Sequence, residues 1–265
     1  MTSDTNSNQN EAAAPNSKGV AATRVLRQAR WIFLKEINSF MGSNLPALSI
    51  GIVVFICGLL SVLLVMTPGT TYEDIARVLY HLFYIFTILA ALFLSMSAFV
   101  NERRQGTLEL LYTLPVTDLE LVLGKFLMGA FLITGLATGV TLVYVAGIAE
   151  GDWYIVLSGL LGLILTGLYA YSVGVFASSL SDSYLISLLI GGAILVLIDI
   201  GGFLAGLLPE PAKGILTYLH GLNHFLPFTR GVVPLKGVVF FASLTVFFLF
   251  LTVKVLESRR WRGQS

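Results

Sequence analysis

Asp199 is the only charged residue between Ser183 and Pro209, in an otherwise apolar run. An ionised acid is expensive in hydrocarbon, so such a carboxyl serves a cavity or a partner helix. Two readings stand. Asp199 is a pathway residue that meets substrate or a proton, or it makes a structural hydrogen bond to a neighbouring helix. Glycines at 191, 192, 201, 202 and 206 permit the close approach that the second reading needs. His220 and His224 have the i,i+4 spacing that sets two imidazoles on one helical face, as zinc or copper would require. Gly221 stands where a metalloprotease helix carries glutamate, and three histidines are too few for a diiron membrane site. The alternative is a pair of polar anchors on a helix at the membrane surface. Gly124-Lys125 has the wrong preceding spacing and is followed by Phe126, so it makes no phosphate-cradling loop. The single cysteine, Cys57, excludes an internal disulfide and a Cys-cluster metal site. No metal and no cofactor is expected in this chain.

The elements that carry these residues follow from composition. Of the 265 residues, 56% are hydrophobic and 12% charged, about half the charge of ordinary soluble domains. Mean hydropathy is +0.85. A net charge of +1 excludes a general nucleic-acid binder, which needs a basic face. A bilayer crossing takes about 20 apolar residues in a helix. Stretches without Asp, Glu, Lys or Arg run over Ile37–Tyr72, Val78–Asn101, Phe126–Ala149, Trp153–Ser181 and Gly237–Val253, and Ser183–Pro209 holds only Asp199. They predict six spans, near 46–66, 80–100, 121–147, 154–179, 184–207 and 236–256. The expected fold is an all-α integral membrane bundle.

Residues 1–22 are rich in Asn, Ser, Thr and Ala, lack an apolar core, and read as a disordered cytoplasmic tail. Over 23–42, Val25, Leu26, Ala29, Ile32, Phe33, Ile37 and Phe40 recur at helical spacing opposite Arg24, Arg27, Arg30, Lys35 and Glu36. That pattern predicts a basic amphipathic helix on the membrane surface, with Trp31 at headgroup level. The bundle then occupies 43–258, and 259–265 form a second cytoplasmic tail. With both termini inside, twelve Lys/Arg fall on the cytoplasmic side and four outside (Arg77, Lys213, Arg230 and Lys236), as the positive-inside rule demands. The outer connection Leu208–Leu235 carries Pro209, Pro211, Pro227 and Pro234, which predict short broken helices at the outer face. The spacings Gly135-x-x-x-Gly139, Gly147-x-x-x-Gly151 and Gly202-x-x-x-Gly206 predict close helix packing. Phe240, Phe241, Phe247, Phe248 and Phe250 are read as packing or lipid-facing bulk.

One inner connection, Asn101–Glu120, is long enough to act. Gly106 is a left-handed helix stop, Thr107–Leu114 makes two turns presenting Leu108, Leu111 and Tyr112, and Pro115 ends them. Thr117-Asp118-Leu119-Glu120 is a capping box opening the third span. Such a rod either transmits a push from a cytoplasmic partner into two spans or is simply a well-formed turn.

The block Glu102-Arg-Arg-Gln-Gly-Thr-Leu-Glu-Leu-Leu111, with Leu114-Pro-Val-Thr117 and Val122-Leu-Gly-Lys-Phe126, closely resembles the signature of ABC-2-type permeases, in particular the gliding-motility-like branch. Ala177-Ser-Ser-Leu-Ser-Asp-Ser183, His224-Phe225 with Arg230-Gly231, and Val255-Leu-Glu-Ser-Arg-Arg-Trp261 resemble later parts of that branch in order. The stretch Val232–Gly237 departs from it by lacking acids. The resemblance implies a type V exporter-like half-transporter in a bacterial inner membrane, with an elbow helix at 23–42. Its partners would be two ABC ATPase subunits, which bind the ATP and Mg, and a second permease chain, identical or different. Gly106, Thr107, Leu108, Glu109, Leu110, Leu111 and Pro115 would face the ATPase as a coupling helix.

Three function classes follow. The first is the permease subunit of an ATP-driven exporter or force transmitter, itself no enzyme. The second is a membrane anchor for an extracytoplasmic accessory protein. The third is an intramembrane enzyme, for which only scattered serines and Asp199 are on offer.

Overall fold

The computed structural model describes residue 34, residues 51–52, 55–60 and 62–63, and residues 72–107, 117–147, 153–204, 209 and 212–262. Among these, every regular element is a helix. Residues 1–22, most of 23–42, residues 108–116 and the turn around Glu150–Asp152 lie outside the described residues. So do Gly151 and the side chains at Gly202 and Gly206. Within the expected first span, the described residues are helical, with Cys57 buried in the core and Phe55, Leu59 and Leu63 exposed.

Helix α1 runs Tyr72–Ser95, a turn occupies 96–99, and α2 continues as Val100–Arg104. The charge-gap rule placed this span at 80–100, but the helix begins earlier, because acids are favourable in a helix's first turns and do not interrupt it. Helix α3 spans Asp118–Gly147, α4 Trp153–Leu180 and α5 Tyr184–Leu204. The stretch between α5 and the last span holds α6 (Ala212–Leu219), α7 (Gly221–Phe225) and a 3-10 turn at Leu226–Arg230, the short broken helices that its prolines predict. Helix α8 runs Leu235–Arg262 without a break at 258, so the expected tail begins inside a helix. Among the described residues, four runs are long and apolar enough to cross a membrane: Arg77–Arg104, Asp118–Leu142, Trp153–Leu180 and Leu235–Arg259. Tyr184–Asp199 is a shorter apolar helix.

Helix α4 is the hub. It packs on α8, α1, α3 and α5, and carries no charged residue. Between lipid-embedded helices the hydrophobic effect gives no net drive, so small residues that admit close contact decide the packing. A Cβ at Gly159 would stand 2.3 Å from the Tyr80 ring, and one at Gly174 would stand 1.7 Å from Ser95 Oγ. Gly135 behaves otherwise. A Cβ there meets nothing within 4 Å among the described residues, so Gly135 itself lies on an open part of α3. Phe240, Phe241 and Phe248 are buried on α8, while Phe247 and Phe250 face outward.

The capping box forms as its residue types require. Thr117 Oγ1 accepts the Glu120 N–H at 3.3 Å, and Glu120 Oε2 accepts the Thr117 N–H at 2.8 Å. Thr117→Ala is expected to destabilise the bundle by about 1 kcal/mol, read by equilibrium unfolding in mixed micelles; Thr117→Ser should restore it.

Candidate functional site

The end of the bundle that bears the Asn101–Glu120 connection is bolted together by charged groups. The turn between α1 and α2 frees backbone groups that must find partners. Ser178 of α4 supplies them: its Oγ accepts the Phe99 N–H at 2.9 Å and donates to the Met96 carbonyl at 3.2 Å. Arg103 reaches across to the last turn of α4, donating to the carbonyls of Ser179 and Ser181 and pairing with Asp182 at 2.8 Å. Arg259 of α8 donates to the neighbouring Leu180 carbonyl at 2.8 Å. Two guanidiniums thus cap the carbonyls that the end of α4 leaves unpaired, where the helix dipole favours a cation. Arg104 lies over the Tyr184 ring at 4.5 Å, and the Tyr184 hydroxyl donates to Asn101.

Beneath this layer, Lys125 of α3 pairs with Glu102 of α2 at 2.9 Å, both side chains almost wholly buried. Lys125 also lies 5.3 Å from the centre of the Phe99 ring. The connection therefore leaves α2 from a fixed base. Gly106 adopts φ 67°, the left-handed stop expected of it, and Thr107 Oγ1 donates to the Glu102 carbonyl at 3.2 Å. Of the residues expected to face an ATPase, Gly106 and Thr107 sit at this exit, while Leu108, Glu109, Leu110, Leu111 and Pro115 lie outside the described residues.

The second polar site surrounds Asp199. Tyr84 of α1 donates its hydroxyl to Asp199 Oδ1 at 2.8 Å, and the Gly221 N–H donates to the same carboxyl group. His220 Nδ1 donates to the Asp199 backbone carbonyl. A cavity of about 300 Å³ opens beside these groups, walled mainly by apolar side chains of α1 and α5. The two histidines are not partners on one helical face. His220 precedes α7 in an extended conformation (φ −66°, ψ 107°), which breaks the helical phase that i,i+4 spacing presumes. His224 instead donates from Nε2 to the Tyr218 carbonyl at 2.8 Å and stacks on Phe240 at 4.0 Å. Among the described residues no group of three or more His, Cys, Asp or Glu side chains is arranged to hold a metal ion.

A family model described as ABC-2 family transporter protein matches residues 62–256. The match runs from before α1 into α8 and includes both polar sites except for Arg259. This chain belongs to the ABC-2 transporter family. A search of the curated proteins returns no match. The permease is a multi-pass membrane protein of a family whose membrane domains are as a rule non-catalytic and whose ATP is bound on a separate partner. Its charged end layer is the part that sequence reading missed. Lys125 lies within the expected third span, 121–147, where a charge needs a buried partner, and that was the available signal for Glu102. Nothing in the sequence pointed to Arg103 and Arg259 as caps for α4, because both act across long sequence separations.

Proposed function

We propose that the permease is one half of an ATP-driven exporter or force transmitter of the gliding-motility-like branch, in a bacterial inner membrane with both termini cytoplasmic. Two ATPase subunits act on residues 107–115 as a coupling helix, and a second permease completes the pathway. The observation that carries this reading is the fixed exit of α2. Gly106 turns the chain out of a base held to α3 by Glu102–Lys125 and to α4 by Arg103. A push on a rod rooted there moves three helices together, whereas a rod on a loose loop would only flex. ATP closure of the partner subunits supplies the bias between two packings of the bundle.

The test is purification of the tagged permease from native membranes. A co-purifying ATPase whose activity depends on the permease is expected, and an active permease with no such companion would overturn the reading. A point variant sharpens it. A Cβ at Gly106 meets no described neighbour within 4 Å, and a β-branched residue is strained at φ 67°, so Gly106→Val acts through backbone conformation, at about 1–2 kcal/mol. Lost permease-stimulated ATPase activity in a folded, membrane-inserted variant is expected. Gly106→Asn, which tolerates the left-handed region, should retain most of it.

A further inference from the structure

The Asp199 cavity has an unusual polar inventory. A carbonyl oxygen only accepts, so each hydrogen bond to one identifies its donor. His220 Nδ1 donates to the Asp199 carbonyl and His81 Nδ1 donates to the Arg77 carbonyl at 2.6 Å. Tyr84 spends its hydroxyl proton on Asp199. Every side-chain donor lining the cavity is therefore committed to an internal acceptor. What is left is the Asp199 carboxyl group and one further ring nitrogen, Nε2, on each histidine. No described Lys or Arg forms an ion pair with Asp199. The remaining wall is apolar, and its rim residues Ile85, Leu89 and Val196 are exposed between α1 and α5.

A carboxyl group that no described Lys or Arg pairs with, continued by an apolar mouth, complements a donor-only cation on an alkyl chain. We propose that this cavity receives the ammonium group of a single-chain cationic amphiphile, held at Asp199, with its chain leaving between α1 and α5 past Leu89 and Val196. A primary ammonium carries three donors and no acceptor, so it matches the unspent groups without stranding one. A zwitterionic lipid fits less well, since no Lys or Arg lines the cavity to meet its phosphate. The inference rests on the permease reading and names the chemical class its membrane-facing site would take.

The experiment needs neither ATPase nor ATP. The purified full-length chain in phosphatidylcholine nanodiscs is titrated with dodecylammonium, and empty nanodiscs give the partition background. Saturable uptake of one amphiphile per chain is expected, with dodecanoate and dodecanol showing background uptake only. Asp199→Asn should weaken binding on the order of tenfold or more, and Asp199→Glu should hold it within about threefold. Val196→Trp fills the mouth from its exposed rim and should also weaken binding, so it carries the test if Asp199→Asn fails to fold. Unsaturable uptake, equal binding of dodecanoate, unchanged affinity in the folded variants, or tighter binding of phosphatidylethanolamine would each overturn the proposal. Failure here leaves an ATPase partnership intact, and a missing ATPase leaves this binding measurable, so the two readings fail separately.

Discussion

Lys125→Met is expected to destabilise the permease by about 3–5 kcal/mol, the largest single loss available at its charged end. The cause is the group left behind. Glu102 is buried to 8% exposure, and its Oε2 already has no hydrogen-bond partner among the described residues. Its Oε1 depends on Lys125 at 2.9 Å. Removing the ammonium leaves a carboxylate with neither water nor a counter-charge, at a depth where solvation cannot replace either. The double variant Glu102→Gln/Lys125→Met should recover much of the loss, since it removes both charges. Equilibrium unfolding of the four species in mixed micelles gives the coupling energy. A single variant as stable as the parent would show that the pair does not hold α2 to α3.

Gly174→Ala carries the second large effect, expected at about 1–3 kcal/mol. The new methyl would stand 1.7 Å from Ser95 Oγ and 2.7 Å from Ser95 Cβ. Rotating the hydroxyl relieves only the first clash and breaks its hydrogen bond to the Leu92 carbonyl. Ser95 is the last residue of α1, so the displacement falls on the turn that Ser178 stabilises one helical turn further along α4. Adding Ser95→Gly removes both clashing atoms. That double variant should be more stable than Gly174→Ala alone, which an overpacking cause requires and a simple loss of helix flexibility does not.

The legible parts of this molecule are those that depend on neighbouring residues. Charge-free runs marked α3, α4, α5 and α8 to within a few residues over most of their bounds. The Thr117–Glu120 box and the Gly106 stop appear in the backbone as read, since each is decided within four residues. The start of α1 and the end of α8 were misplaced for one reason: charge limits the hydrocarbon, not the helix. Asp199 was legible as a residue needing a partner, but its partner was not. Tyr84 lies 115 positions away and carries no signal distinguishing it from the other tyrosines of α1. The His220–His224 spacing misled because it presumed a continuous helix where the backbone turns. At Gly135 no described neighbour stands within 4 Å, since small residues in a span allow contact without naming the partner.

The end of α4 has a consequence for how the chain is made. Its flanks in sequence are Asp152 and Asp182, so no adjacent basic residue steers its direction as it leaves the ribosome and enters the bilayer. The carbonyls at its end are met by Arg103, already synthesised, and then by Arg259, which emerges only with the final span. Until α8 arrives, the nascent protein carries its central helix with one exposed carbonyl terminus only half secured. A chain that stops before Arg259 is expected to leave the Leu180 carbonyl without that donor.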